Sequence, residues 1–310
     1  VTPLRIGTRA SALALTQTTA WASSLGLPEG SYELVRITSE GDRSTASLAS
    51  LGGTGVFVSA LREALLAGQV DVVVHSCKDL PTAPADGIDL VAVPPREDQR
   101  DALVAAGGLR LEALPEGAVV GTGSPRRRAQ LRARRPDLLV VDIRGNVDTR
   151  LRRVLDPTTE PERRLDAVVL AAAGLARLGR SDVVTELLEL EDWPTAPAQG
   201  ALAVEMRADA DPEQRAAVAG TDHAATRTAI AFERDVLRIL EAGCAAPLGV
   251  SALPSRDGEP GTDPTDVEVV AGAYSLDGAR SVRARARLGS ATPQDVVTEL
   301  LAGGAEALLR

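Results

Sequence analysis

Aromatic residues are scarce in this chain: two Trp, two Tyr and two Phe among 310 residues. Proteins that stack single-stranded nucleic acid on their rings need a richer platform, so the cores here fall to Leu, Val, Ile and Ala. Cysteine is as sparse. Cys77 and Cys244 lie far apart and make no disulfide framework, which suggests a reduced, cytoplasmic setting. No apolar run approaches the roughly 20 residues needed to span a bilayer. The opening residues, VTPLRIGTRA, lack the basic-then-apolar layout of a secretory signal. Lysine is nearly absent: of 34 basic residues only Lys78 is not Arg.

What is present is ordinary in bulk. Apolar content of 44% and charged content of 25% fit a soluble globular protein, and the length allows two or three domains. A net charge of −9 argues against general affinity for nucleic acid or anionic membrane. That charge is unevenly spread. Between Arg126 and Arg153 ten Arg (126, 127, 128, 132, 134, 135, 144, 150, 152 and 153) face three Asp (137, 142 and 148). An acidic protein with one dense basic segment suggests a specific anionic ligand; a solvated helix face is the plainer reading of any single Arg.

The first third alternates strand and helix signals. LRIG reads as a strand, Ser11 to Leu25 as a helix capped by Ser11, YELVRI as a strand, and VFVSALREALLAG as a helix ending at glycine. VDVVVH fits a strand buried on both faces of a parallel sheet, and IDLVAVPPR adds another. A second unit begins near Asp101: strand AVVGTG, helix SPRRRAQLRARRP with Ser124 at the N-cap and Pro125 at N1, then LLVVDI, NVDTRLRRVL, LDAVVL and AAAGLARLG. After Asp211 the pattern becomes a smaller α+β domain. It has a long helix from about Asp222 to Ala242, strands near Val250, Val267–Ala273 and Arg283–Leu288, and a final helix Pro293–Leu309. Pro254–Pro264 reads as an exposed loop.

Three constellations carry chemistry. VVGTGSP joins a strand, a glycine loop and a capped helix start, where free N–H groups and the helix dipole favour an anion. Arg126 and Arg127 follow at once, and guanidinium groups fork onto carboxylates or phosphates; a plain α/β connection is the alternative. RGNVDTR ends the next strand, where strand ends of α/β sheets gather ligands. HSCKDLP leaves an apolar strand. Its Asp79 is either one half of an ion pair or a carboxylate for a reaction that builds positive charge. EAGCAAPLG sets Cys244 on a loop, as a small buried hydrophobe or as a nucleophile. His75, Cys77, His223 and Cys244 have no normal zinc spacing, so no metal site is expected.

RIGTRASALAL, GDRS, HSCKDLP, PPREDQRDA, VVGTGSPRRRAQL, RPDL, RGNVDTRL, AAAGLARLG, PAQGALAVE and EAGCAAPLG, in this order, resemble the porphobilinogen deaminases, or hydroxymethylbilane synthases, across nearly the full chain. The resemblance implies two periplasmic-binding-protein-like α/β domains plus a smaller C-terminal α+β domain. These are residues 1–98 with 197–217, residues 99–196, and residues 218–310. It implies a transferase that condenses four porphobilinogen units head to tail with loss of ammonia, then releases the linear tetrapyrrole by hydrolysis. It implies a covalent dipyrromethane cofactor on Cys244 by thioether and a catalytic Asp79. Cofactor ligands would be Lys78, Thr122, Ser124, Arg126, Arg127, Arg150 and Gln199; substrate ligands would be Arg9, Ser11, Arg144 and Arg177. The porphobilinogen units are polyanionic, so the arginines suit them, and a lone acid at the reacting carbon would stabilise the transient azafulvene cation. A monomer is implied, with no nucleic acid or membrane partner. The chain departs from the pattern at Thr54, where many relatives carry Lys, and at Gly123, where they carry Ser. Arg43 is the remaining basic candidate in the 41–59 loop, and Cys77 reads as packing. The rival is a non-catalytic binding protein for an anionic metabolite, which leaves Asp79 and Cys244 without a purpose.

Overall fold

The structure is a computed structural model that describes residues 3–38, 56–243, 246–253 and 267–309. The first stretch folds as β1 (Leu4–Arg9), α1 (Ala12–Ser24), β2 (Tyr32–Ile37), α2 (Val56–Leu66), β3 (Val72–Ser76) and β4 (Ile88–Ala92). Next come β5 (Asp101–Ala105), β6 (Val119–Gly121), α3 (Pro125–Arg134), β7 (Leu139–Val141), α4 (Val147–Leu155), β8 (Ala167–Ala171), α5 (Ala172–Arg177) and β9 (Glu186–Leu188). The rest holds β10 (Leu202–Arg207), α6 (Pro212–Ala219), α7 (Ala224–Ile239), β11 (Leu248–Ala252), β12 (Glu268–Tyr274), β13 (Ser281–Arg287), α8 (Pro293–Ala302) and α9 (Glu306–Leu309).

These elements form two compact units. One takes Val1–Glu97 and Gly200–Ile230, the other Asp98–Gln199 and Ala231–Arg310.

The first unit is built on a five-stranded sheet in the order β2-β1-β3-β10-β4. β1 pairs in parallel with β2 and β3, but β10 runs antiparallel to both β3 and β4. The all-parallel sheet expected around VDVVVH is therefore mixed. The strand is nevertheless buried on both faces, with Val72 and Val73 fully enclosed, because helices cover each side. Trp21 and Ala22 of α1 pack with Leu4, Val72, Val204 and Met206 on one face. Leu61 and Leu65 of α2 pack with Val70, Val73 and Ile88 on the other.

The second unit has a five-stranded sheet in the order β7-β6-β8-β5-β9, again mixed, and a three-stranded antiparallel sheet β11-β12-β13. α8 packs its buried Val296, Val297 and Leu300 inward beside the smaller sheet. The expected single final helix is two, α8 and α9, because Gly304 adopts φ 91 between them, a conformation glycine takes without strain. Two α/β sheets and a smaller α+β part bear out the expected fold class. Among the described residues no helix is long and apolar enough to cross a membrane.

Candidate active site

In the first unit, the carboxyl ends of β1 and β3 converge on a small recess of about 30 Å³. Its polar lining is Arg9, Gln17, His75, Ser76 and Asp79; Ala14, Val58, Leu61 and Val74 supply the apolar side. Arg9 is the last residue of β1. Asp79 stands on a one-turn 3-10 helix, Cys77–Asp79, that follows β3 directly. The turn is tied down by Cys77 N–H donating to Ala201 O at 2.9 Å and Leu80 N–H to Cys77 O at 3.1 Å. Cys77 is fully buried in this turn, as its packing role requires. Lys78 and Asp79 are both partly exposed, and among the described residues no ion pair or hydrogen bond engages the Asp79 carboxylate. The plain alternative for HSCKDLP, an Asp held in a structural ion pair, finds no partner there. Ser11, expected among the substrate ligands, uses its hydroxyl to accept Ala14 N–H and cap α1.

In the second unit, VVGTGSP folds as expected: β6, a tight loop, then α3 with Ser124 at the N-cap and Pro125 at N1. Ser124 Oγ accepts Arg127 N–H, and the fully buried Thr122 Oγ1 accepts Ser124 N–H at 3.2 Å. Gly123 is required by a close approach, since a Cβ there would sit 2.7 Å from the Ile143 carbonyl. The loop therefore lies against the end of β7, where RGNVDTR begins.

The arginines that open α3 do something the sequence did not disclose. Arg126 and Arg127 are 2% and 6% exposed, and both turn inward to Asp101. Arg126 Nη1 reaches Asp101 Oδ2 at 2.9 Å and Arg127 Nη2 reaches Oδ1 at 2.7 Å. Trp193 Nε1 donates to Oδ2 at 2.9 Å and Gln199 Nε2 to Oδ1 at 2.8 Å. Burial alone would raise the Asp101 pKa; the two guanidiniums, with hydrogen bonds from Arg127 and Gln199, hold it far below the carboxylate range. Gln199 also accepts from Arg127 at 3.3 Å and donates to Gln99 O. It follows Ala198, whose φ of 62 is unusual for a residue with a side chain. Fully buried Glu233 accepts the Ala198 N–H and holds that turn. Gln130, one turn on from Arg126, accepts from it at 2.7 Å and donates to Pro194 O. Asp101, Trp193, Gln130 and Glu233 were not singled out from the sequence. The available signal was Asp101 itself, an acid heading the apolar strand DALVA, since a buried carboxylate must be paired.

The cluster remains electrically unbalanced. Two buried guanidiniums share one carboxylate, and the Nε atoms of Arg126 and Arg127 are buried with no hydrogen-bond partner among the described residues. Arg150 adds to the excess. Its pKa is lowered to about 10, first by burial and then by the charges of Arg127 and Arg144; its Nε donates only to the Gly145 carbonyl, at 2.8 Å. Arg144 lies 3.7 Å from Asp142, a weak pairing. Arg177 closes α5 just after β8. A cation-rich site with a glycine loop, a capped helix start and orphaned guanidinium N–H groups suits a ligand bearing several carboxylates. That is the chemistry of a dipyrromethane, so the residues present fit the group. Cys244, the expected attachment point, lies outside the described residues, as do Arg43, Thr54 and the Pro254–Pro264 loop.

Comparison with known proteins gives a consistent result. Residues 4–215 match the family described as porphobilinogen deaminase, dipyromethane cofactor binding domain. A porphobilinogen deaminase of Leifsonia xyli is 51% identical, covering 97% of this chain and 93% of that protein. One from Micrococcus luteus is 52% identical over 91% of this chain and 81% of that protein. One from Thermobifida fusca is 54% identical over 81% of this chain and 77% of that protein. Solved structures show a distant likeness, among them a periplasmic substrate-binding protein from Coxiella burnetii. It is 16% identical with a TM-score of 0.42, covering 74% of this chain and 96% of that one.

Proposed function

The chain belongs to the porphobilinogen deaminase family, and we propose from this that Asp79 is the acid–base group of its reaction and the Asp101-centred arginines its anion site. The protein is a transferase of porphyrin biosynthesis, a hydroxymethylbilane synthase acting on porphobilinogen, with a dipyrromethane cofactor.

When bound, the dipyrromethane supplies the free pyrrole carbon to which the first substrate unit is added. Thr122, Ser124, Arg126, Arg127, Arg150 and Gln199 of the second unit would hold its carboxylates, Lys78 would contribute a further cation, and Cys244 would carry it as a thioether. Arg9, Arg144 and Arg177 would take the acetate and propionate groups of incoming substrate, with Ser11 completing the first turn beside Arg9. Each charge-assisted hydrogen bond of this kind is worth roughly 1.5–3 kcal/mol.

Asp79 works against that background of positive charge. As ammonia leaves the substrate, the C–N electron pair departs with nitrogen and the pyrrole carries a positive charge. Arginines would repel it; a carboxylate stabilises it. Once the new C–C bond has formed, the same carboxylate would accept the proton lost from the pyrrole carbon. The observation that supports this most directly is that Asp79 lines a recess with Arg9 and His75 while its carboxylate is engaged by no ion pair among the described residues.

The test is Asp79→Asn. Turnover should fall by at least about 10²-fold, the lower bound for losing an acid–base group, while the melting temperature stays near that of the parent. An unchanged rate removes Asp79 from the mechanism. A cytoplasmic, monomeric enzyme of three domains, 1–98 with 197–217, 99–196 and 218–310, completes the proposal.

A further inference from the structure

His75, Glu205 and Arg62 form a buried polar chain beside the Asp79 recess, and the chemistry of Asp79 makes no use of it. β3 and β10 run antiparallel with Ala203 opposite His75 and Glu205 opposite Val73. The side chains of 75 and 205 therefore share a face as diagonal neighbours. Arg62 reaches Glu205 from α2 as a fork, Nε to Oε2 at 3.0 Å and Nη2 to Oε1 at 2.6 Å. Nε2 of His75 lies 3.2 Å from Oε2, within ion-pair distance, and has no aligned hydrogen-bond partner among the described residues. His75 and Glu205 are 5% and 3% exposed. Burial opposes ionisation of Glu205, but contacts from His75 and Arg62 outweigh it and set its pKa at about 2.

Stability is a weak reason for such an arrangement, because apolar residues of similar volume usually fill a core as well as or better than a buried ion set. Its chemical consequence is more specific. An ionised carboxylate offers only lone pairs, so the ring nitrogen facing Glu205 must carry a hydrogen. In a neutral imidazole the lone pair then resides on Nδ1. His75 itself lines the recess with Arg9 and Asp79.

We propose that Glu205, braced by Arg62, is a positioning residue that fixes the Nε2–H tautomer of His75, so that Nδ1 stands beside Asp79 as a second, neutral acceptor for the ammonium group of the incoming aminomethylpyrrole. The inference rests on the reading of Asp79 above. It gives the recess a division of labour: Arg9 suits a carboxylate of the substrate, while Asp79 and His75 receive the ammonium N–H groups before the C–N bond breaks.

The chain has only two His, 75 and 223, so a long-range proton–nitrogen NMR spectrum resolves the two rings. In the holoenzyme the neutral form of the His75 ring should be a single tautomer, with a protonated Nε2 and a bare Nδ1. The variant Arg62→Met/Glu205→Leu removes the chain with apolar replacements. It should keep its melting temperature, show mixed tautomers at His75, and lose about 10- to 100-fold in kcat, the size of one charge-assisted hydrogen bond, with KM within about threefold of the parent. Should that variant fail to fold, His75→Asn, which keeps an acceptor near the Nδ1 position, is compared with His75→Leu; Asn should retain most of the activity that Leu loses. A protonated Nδ1 in the neutral ring of the parent enzyme, a folded double variant with parental kcat, or equal loss in the Asn and Leu variants overturns the proposal. Loss of activity in Asp79→Asn alongside a fully active double variant sinks only this inference; a fully active Asp79→Asn sinks the reading of the recess and this inference together.

Discussion

Arg127 Nη2 and Asp101 Oδ1 lie 2.7 Å apart, both shut away from solvent. Arg126 grips the other oxygen of the same carboxylate. The arginines that open α3 are thus aimed by a fixed countercharge, which leaves one positive charge over for the ligand proposed to bind there. Asp101→Asn would strand two buried guanidiniums. Breaking a buried pair from one side costs about 3–5 kcal/mol, so the urea midpoint should fall accordingly. A midpoint within experimental scatter of the parent would mean that Asp101 does not organise the site.

Arg150 gives a cleaner probe of ligand binding, because its Nε donates to a backbone carbonyl, it forms no ion pair among the described residues, and repulsion from Arg127 and Arg144 outweighs the attraction of Asp142. Arg150→Leu should leave stability unchanged or slightly raised while slowing chain growth. Counting enzyme-bound intermediates by mass spectrometry would reveal this as accumulation of shorter species. Loss of stability with normal elongation would assign Arg150 a structural role instead.

Glu205 links the fold to pH. Its pKa drops from the ordinary 4.5 to about 2 in the folded protein. The group therefore stabilises the native state fully above about pH 4.5, and this stability is lost as pH falls toward 2. Its share is on the order of 3 kcal/mol. Denaturant titrations across that window should give a shallower decline in Glu205→Gln than in the parent. Identical slopes would contradict the assignment.

Gly123→Ala tests the loop without touching charge. The new methyl would meet the Ile143 carbonyl at 2.7 Å, so the loop must shift, with overpacking of this kind costing about 1–3 kcal/mol. The expected outcome is a modest loss of stability with a disproportionate loss of cofactor loading, read by intact mass. Full loading at reduced stability would show that the loop does not shape the anion site.

Local signals carried well from sequence to structure where the chemistry is local. Ser11 and Ser124 cap the helices they appeared to cap, with Pro125 at N1, since capping involves only residues two or three apart. Relations between distant segments did not carry. Asp101 serves residues 25, 26, 92 and 98 positions away, and its neighbours in sequence give no hint of them. The same holds for β10, which returns more than a hundred residues after β3 to make the sheet mixed. The short β9, Glu186–Leu188, is not legible because three residues, with Thr185 before and Glu189 after, show no period. The final helix was over-extended because AGGAE reads as helical on both flanks, and only the backbone at Gly304 breaks it.

Intact mass of the denatured protein examines the heart of the account. The parent enzyme should retain a mass increment equal to two pyrrole units after unfolding, and Cys244→Ser should run at the bare polypeptide mass while remaining folded. An active parent enzyme at the bare mass, or an increment that survives in Cys244→Ser, would contradict a polyanionic primer tethered through that sulfur and held by the arginines.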